Sequence, residues 1–368
     1  MELERLVSEL VKFKTYSNQE LRECASFIAE YFKDQGYSPR VKEYEPGYPV
    51  VIVDNGKEGR QVLLNGHFDV VPPGDLSKWS VDPFSGDLKG GKVFGRGSAD
   101  MKGGLATLME VFVEVAEKVD YSLVFTAVPD EETGGQRGTR HLSEKFSPTF
   151  VIVGEPTQGM VNVGEKGLFQ VKVIERGKSA HGSTPSLGDN AIMKLVKDLE
   201  ALEGVAKIVT ELQEVLEASK ALADVDPLIA KELLHVSFNP GVIKGGSKVN
   251  VVPDYAEAEV DMRVPPGVPL KRVEEYVRSS VRGDVQIIDS SHPTISRGEL
   301  VEKFKKAVGG KAYISTYATD GRYFRFKGVP TVVYGPGELK VLHSYDEYVS
   351  VEELRLTEKR VKEFLLGF

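Results

Sequence analysis

Two histidines and a set of acids stand where this chain could do chemistry. The apolar run Val62-Leu63-Leu64 leads into Asn65-Gly66-His67-Phe68-Asp69, and a second run, Ser122 to Val128, leads into Pro129-Asp130-Glu131-Glu132. A third, Phe150 to Val153, leads into Gly154-Glu155-Pro156, and a fourth, Thr331 to Tyr334, into Gly335-Pro336-Gly337 with His343 shortly after. Asp100 sits in the segment Gly95 to Gly104, just ahead of a helical stretch. Singly, each has a plain explanation: a packed or solvated histidine, a helix cap at Asp100, paired acids facing water. Together they read as a site, because the carboxyl ends of strands in an open α/β sheet converge on one crevice.

Two imidazoles, several carboxylates and no thiolate suit zinc, cobalt or manganese better than copper(I) or an iron–sulfur cluster. Two histidines with three carboxylates exceed what one tetrahedral ion needs and suit two ions sharing a carboxylate, a pair that would polarise a carbonyl and acidify a water. One remaining acid would take that water's proton. By position the candidates are Glu131, beside Glu132, and Asp69, which shares a strand face with His67 and could instead hold the imidazole from behind.

The elements that must position these groups are legible. Leu3, Leu6, Val7, Leu10 and Val11 mark one face of a helix, a second runs from about Leu21 to Phe32 with Cys24 on its apolar face, and a third from about Gly104 to Val119. Ser350 with Glu353 caps a last helix carrying Leu354, Val361 and Leu365. The four apolar runs predict strands buried on both faces, which with the intervening helices means an α/β fold with a mostly parallel sheet. Between about Leu168 and Ser290 the texture changes: Phe169, Val171 and Val173, and later Ala256, Ala258, Val260 and Met262, alternate with polar residues as half-exposed strands do. Helical stretches near 189–202 and 270–281 complete an inserted α+β unit, and 208–234 reads as helical, charged and without assignable chemistry. The expected domains are thus 1–167 and 291–368 as one unit, with 168–290 as the insert.

With 47 Lys and Arg against 55 Asp and Glu, the net charge of −8 disfavours a nucleic-acid or anionic-membrane partner. Cys24 is the only cysteine, excluding an internal disulfide and a cysteine-based zinc knuckle and favouring a reducing compartment. Acids at Glu2 and Glu4, with no run of 18 apolar residues, add to the expectation of a cytoplasmic protein.

One further pattern is specific. Gly66-His67-Phe68-Asp69-Val70-Val71-Pro72, then Trp79 with Asp82-Pro83-Phe84, then Gly95-Arg96-Gly97-Ser98-Ala99-Asp100-Met101-Lys102-Gly103-Gly104 and Asp130-Glu131-Glu132 follow one another in order. Gly154-Glu155-Pro156-Thr157, Ser179-Ala180-His181-Gly182-Ser183 and Gly335-Pro336-Gly337 with His343 complete a series spanning almost the whole chain. This series resembles the M20 metallopeptidases, and within them the branch of acetylornithine deacetylase and succinyl-diaminopimelate desuccinylase.

The resemblance implies two divalent ions per chain, zinc first, with cobalt or manganese as alternatives: one held by His67 and Glu155, the other by Glu132 and His343, with Asp100 bridging. It implies Glu131 as general base, Asp69 as the residue orienting His67, and a cis peptide bond after Asp100. The insert becomes a lid that also forms a homodimer, from which His181 reaches the active site of the partner subunit and stabilises an oxyanion. Asn250, Arg263, Arg322 and the loop of Gly335 and Gly337 become the binders of a substrate carboxylate; without the resemblance Arg263 reads as a solvated strand residue. The implied reaction is metal-dependent hydrolysis of an N-acyl amino acid, acetyl or succinyl, in amino-acid biosynthesis. Cleavage of dipeptides or short peptides is the alternative, and a non-catalytic binding protein of the same fold a second. His141, His235 and His292 match no motif and are expected to be structural; Trp79 matches without a role.

Overall fold

The computed structural model describes residues 1–368, which fall into two compact units: Met1–Val163 with Ser296–Ala312 and Thr319–Phe368, and Gly164–Ile295 with Tyr313–Ala318. The insert therefore begins and ends a few residues outside the expected 168–290, and a later hexapeptide joins it. Backbone pairing explains the edges. Thr294 and Ile295 pair with Glu165 and Gly164, and the Lys166 N–H donates to the Ser315 carbonyl, so these segments belong to the insert.

In the first unit the four expected apolar runs form the parallel core of the sheet, in the order Ser122–Val128, Gln61–His67, Phe150–Val153, Thr331–Val333. Their register is what builds a site: Asn65 pairs with Thr126 on one side and Val153 on the other, so the four strands end at nearly one level. Beyond Ser122–Val128 the sheet continues antiparallel through Pro49–Asp54 and Arg40–Glu43, two strands absent from the expectation. Val50 to Val53 are as apolar as the core runs, but they arrive as a hairpin, and an alternation of strands with helices cannot reveal one.

Both faces of the sheet are covered. Leu63, Val124, Val151 and Val333 pack with Leu142 and Phe324, from the helices Thr139–Lys145 and Gly321–Phe326. The alternate residues face the other way: Phe125 meets Phe32 and Phe112, and Phe150 meets Phe304 and Phe364, from the helices Leu21–Asp34, Gly103–Val115, Glu299–Val308 and Val351–Leu366. The last helix starts as its sequence suggests, with the Ser350 hydroxyl accepting the Glu353 N–H. Cys24 is fully buried, a small hydrophobe in the second helix. No helix is long and apolar enough to cross a membrane.

One close approach sets where the helix after Asp100 can lie. A Cβ on Gly104 would stand 1.7 Å from the Gly154 carbonyl oxygen, so only glycine lets Gly103–Val115 pass the end of the strand that leads to Glu155. Gly104→Ala is accordingly expected to destabilise the fold by about 1–3 kcal/mol, read as a lower melting temperature; an unchanged melting curve would contradict this packing.

The second unit is a four-stranded antiparallel sheet ordered Asn239–Gly245, Tyr255–Val264, Gly167–Arg176, Asp284–Ser291. The alternation read from the sequence is its burial: Ala256, Ala258, Val260 and Met262 join Phe169, Val171 and Val173 in a core closed by the helices Ala191–Leu202 and Leu270–Ser280. Residues 208–234 contain two helices, Gln213–Ala223 and Pro227–Glu232, packed on each other. Buried Lys166 anchors this pair, its ammonium donating to the Glu232 and His235 carbonyls at 2.6 and 2.7 Å.

Candidate metal centre

His67 closes its strand with 1% exposure, and its Nδ1–H donates to the Asp69 carbonyl at 2.9 Å. That bond engages Nδ1 and turns Nε2 toward two carboxylates, Asp100 Oδ1 at 3.3 Å and Glu155 Oε1 at 3.2 Å, so Nε2 is the nitrogen placed to meet a cation. The other Asp100 oxygen, Oδ2, is 3.2 Å from His343 Nε2, which is 3.4 Å from Glu132 Oε1. Asp100 thus presents one oxygen to each of two trios, His67 with Glu155 and Glu132 with His343. Glu131 closes on the first, with ligand atoms of His67, Glu131 and Glu155 within 4.8 Å of one another.

Three observations test whether cations fit here. The nitrogen-to-oxygen separations near 3.3 Å match the edge of a tetrahedron whose corners lie about 2.0 Å from its centre, the reach of zinc to imidazole and carboxylate. Glu132 Oε1 is buried with no hydrogen-bond partner beyond the long 3.4 Å contact to His343 Nε2. The electrostatics call for positive charge: burial, then the Glu155 charge, hold Glu131 well above the usual carboxylate range, and burial, then Asp100, raise Glu132. Glu155 is pushed up to about 8, by burial more than by its anionic neighbours, while hydrogen bonds to Asp100 and Glu132 lift His343 to about 10. The donor set fits two divalent cations.

Asp69 does more than back His67. Its carboxylate is 3.4 Å from Nδ1, farther than its own carbonyl, and it accepts the backbone N–H groups of Glu131 and Glu132 at 3.1 and 3.0 Å. One side chain therefore ties the strand end carrying His67 to the turn carrying both glutamates.

A residue the sequence did not single out organises Asp100. Glu347, wholly buried, accepts the Ala99 and Asp100 N–H groups with one oxygen, both at 3.0 Å, and takes the Arg96 guanidinium on the other at 2.5 Å. Arg96 also reaches the His343 carbonyl at 3.4 Å and lies 5.2 Å above the Trp79 ring. Trp79 thereby gains a role, its indole N–H held by the Pro73 carbonyl and its edge against Tyr345. The Asp100–Met101 peptide bond is cis.

The Gly335–Gly337 loop lies against the same groups. Gly335 approaches Gly154 so closely that a Cβ would be 2.0 Å from the Gly154 carbonyl oxygen, and Gly337, at φ +124°, faces Ala99. Arg322 donates to the Gly134 carbonyl at 2.6 Å and stacks over Tyr323.

His181, Asn250 and Arg263 belong to the second unit. His181–Gly182 and Asn250–Val251 are bridged, with the Gly182 N–H donating to the Asn250 carbonyl, and both His181 and Asn250 are exposed. The Ser183 N–H donates to His181 Nδ1, which places the proton of the neutral ring on Nε2. Arg263 forks onto Asp261 at 2.9 and 3.1 Å. The remaining histidines lie apart: His141 stacks on Tyr44, His235 contacts the Lys231 carbonyl, and His292 is exposed.

Comparison with known proteins identifies the family. Residues 63–366 match the peptidase family M20/M25/M40. An acetylornithine deacetylase of Vibrio campbellii is 32% identical in a match that covers 88% of this chain and 86% of that protein. A protein of Staphylococcus aureus named "Probable succinyl-diaminopimelate desuccinylase" is 27% identical in a match that covers 94% of this chain and 92% of its own. The crystal structure of an M20 family metallo-carboxypeptidase from Sulfolobus solfataricus superposes with a TM-score of 0.80 at 20% identity, covering 100% of this chain and 99% of that one, and so shares the fold. With its candidate ligands gathered at the ends of the sheet strands, the chain belongs to the M20/M25/M40 peptidase family and is a metallohydrolase.

Proposed function

We propose that this metallohydrolase removes an N-acyl group, acetyl or succinyl, from an amino acid. The observation that carries the chemistry is the pair of trios sharing Asp100 beside Glu131. The substrate class is supported by the deacylase names of relatives matched over most of the chain.

His67 and Glu155 would hold one divalent ion and Glu132 and His343 the other, with Asp100 shared; a donor set of imidazole and carboxylate favours zinc, with cobalt or manganese also accommodated. When bound, such ions polarise the amide carbonyl and make water acidic near neutral pH. Glu131 is the base: its carboxylate accepts the proton of the attacking water and returns it to the leaving amine nitrogen, so that the C–N bond breaks as the amine becomes neutral. Asp69 keeps Glu131 in place through its backbone N–H. His181, with its proton on Nε2, offers a donor to the oxyanion from the second unit of a partner subunit in a homodimer, in which that unit serves as lid. Asn250 and Arg263, with Arg322 and the Gly335–Gly337 loop, receive the substrate carboxylate; Arg263 would exchange its fork on Asp261 for one on the substrate.

The test is a panel of N-acetyl amino acids, N-succinyl amino acids and dipeptides, each assayed with zinc, cobalt and manganese. An acyl amino acid should exceed every dipeptide in kcat/KM by at least about tenfold, the discrimination that one or two pocket contacts provide. Faster turnover of dipeptides would replace this reading by a peptidase. Absence of both turnover and tight metal binding would point to a binding protein.

A further inference from the structure

The glutamates of the metal centre ride on a turn with little rigidity of its own. Glu131–Thr133 is a single 3-10 turn followed by Gly134 and Gly135, at φ +103° and +64°. The Gly134 and Gly135 N–H groups donate to the Glu131 and Asp130 carbonyls, both at 2.8 Å, closing the turn. Paired glycines are the backbone's most mobile joint, so something outside the turn must hold it.

What holds it comes from 188 and 189 positions away. The Gly134 carbonyl accepts two donors, the Tyr323 hydroxyl at 2.5 Å and Arg322 Nη2 at 2.6 Å, which occupy both of its lone pairs. The guanidinium lies 4.9 Å above the Tyr323 ring, so the two donors brace each other. Asp320, with 1% exposure, accepts the Thr139 hydroxyl at 2.6 Å on one oxygen. Its other oxygen packs against the Gly135 backbone, where a Cβ would stand 2.2 Å from it. Asp69 meanwhile holds the opposite side of the turn through the Glu131 and Glu132 N–H groups.

We propose that Tyr323, with Asp320 and Arg322, is a positioning residue that clamps the Gly134–Gly135 turn and thereby sets where the Glu131 and Glu132 carboxylates stand. Tyr323 acts through the backbone and touches no reacting atom. Arg322 accordingly has a task within the chain besides the substrate contact proposed for it. The inference rests on the reading of Glu132 as a ligand and Glu131 as the base.

Tyr323→Phe deletes one donor and keeps the ring. Three quantities should be measured on the full chain: the zinc dissociation constant by chelator competition without substrate, kcat and KM on the best substrate of the panel, and the melting temperature of the metal-free protein. Zinc should bind about 10–100-fold more weakly and kcat should fall by a similar factor, with KM within about twofold, as for other residues that support ligands from behind. Zinc affinity and kcat both within about twofold of the parent, whether or not the melting temperature falls, would overturn the clamp, as would a rise in KM alone. Arg322→Lys, which loses the planar guanidinium over the Tyr323 ring and its Nη2 donor but keeps the charge, should weaken zinc in the same direction and decides the matter if Tyr323→Phe does not fold. A parent chain that binds no zinc would sink the metal-centre reading itself, an outcome distinct from a parent that binds zinc and a variant that binds it equally well.

Discussion

Glu131→Gln is expected to bind metal with the parent's stoichiometry and to lose about 10²–10⁴-fold in kcat, the range for deleting a general base. The carboxamide keeps the length and shape of the side chain but cannot take up a proton. Nothing that holds the turn involves the carboxylate: Asp69 grips the backbone N–H, and the Gly134 N–H bonds to the Glu131 carbonyl. The ligands therefore stay where they are, and metal analysis together with turnover separates loss of the base from loss of the site. A variant within a few-fold of the parent would move the base elsewhere, Asp69 being the other acid on that side. Asp69, however, already spends both carboxylate oxygens on N–H groups, which makes it the weaker candidate.

The second large effect is expected at Asp100, the one carboxylate with an oxygen for each imidazole. Asp100→Ala should leave fewer than one tightly bound divalent ion per chain and no measurable turnover, because both trios lose a member at once. Its fold should persist, since Glu347 holds the Ala99 and Asp100 backbone N–H groups and not the Asp100 side chain. Added zinc should raise the melting temperature of the parent, as any ligand of the native state does, and leave that of the variant almost unmoved. Two ions retained in Asp100→Ala would refute the shared-carboxylate arrangement.

Much of the centre was legible because its residues stand at strand ends with glycine or proline beside them. His67, Glu132 and Glu155 follow the parallel strands directly, whose register gathers them, while Asp100 stands in a glycine-rich segment ahead of a helix and His343 beyond the Gly335-Pro336-Gly337 loop. Glu347 carries no such mark. It lies between Asp346 and Tyr348, and only its burial against Arg96, 251 positions earlier, turns an ordinary glutamate into the support of Asp100. Asp69 was half legible: strand alternation puts it on the face of His67, but its larger engagement, with the Glu131 and Glu132 N–H groups, joins two strands that no local pattern connects. Arg263 and Arg322 illustrate the same gap, since each guanidinium has a partner within its own unit, Asp261 and Gly134 respectively.

By itself, then, the sequence determined which residue types are available at the ends of four buried strands, the helices that cover them, and the half-exposed alternation of the inserted unit. These follow from hydrophobic periodicity and local turn chemistry, which act over a few residues. The tertiary structure alone decided which backbone groups the buried acids hold, because hydrogen bonds to Glu347, Asp69 and Gly134 depend on burial and on partners tens to hundreds of positions away. The sequence supplies the donors of a metal centre; packing decides which of them are held still enough to act as one.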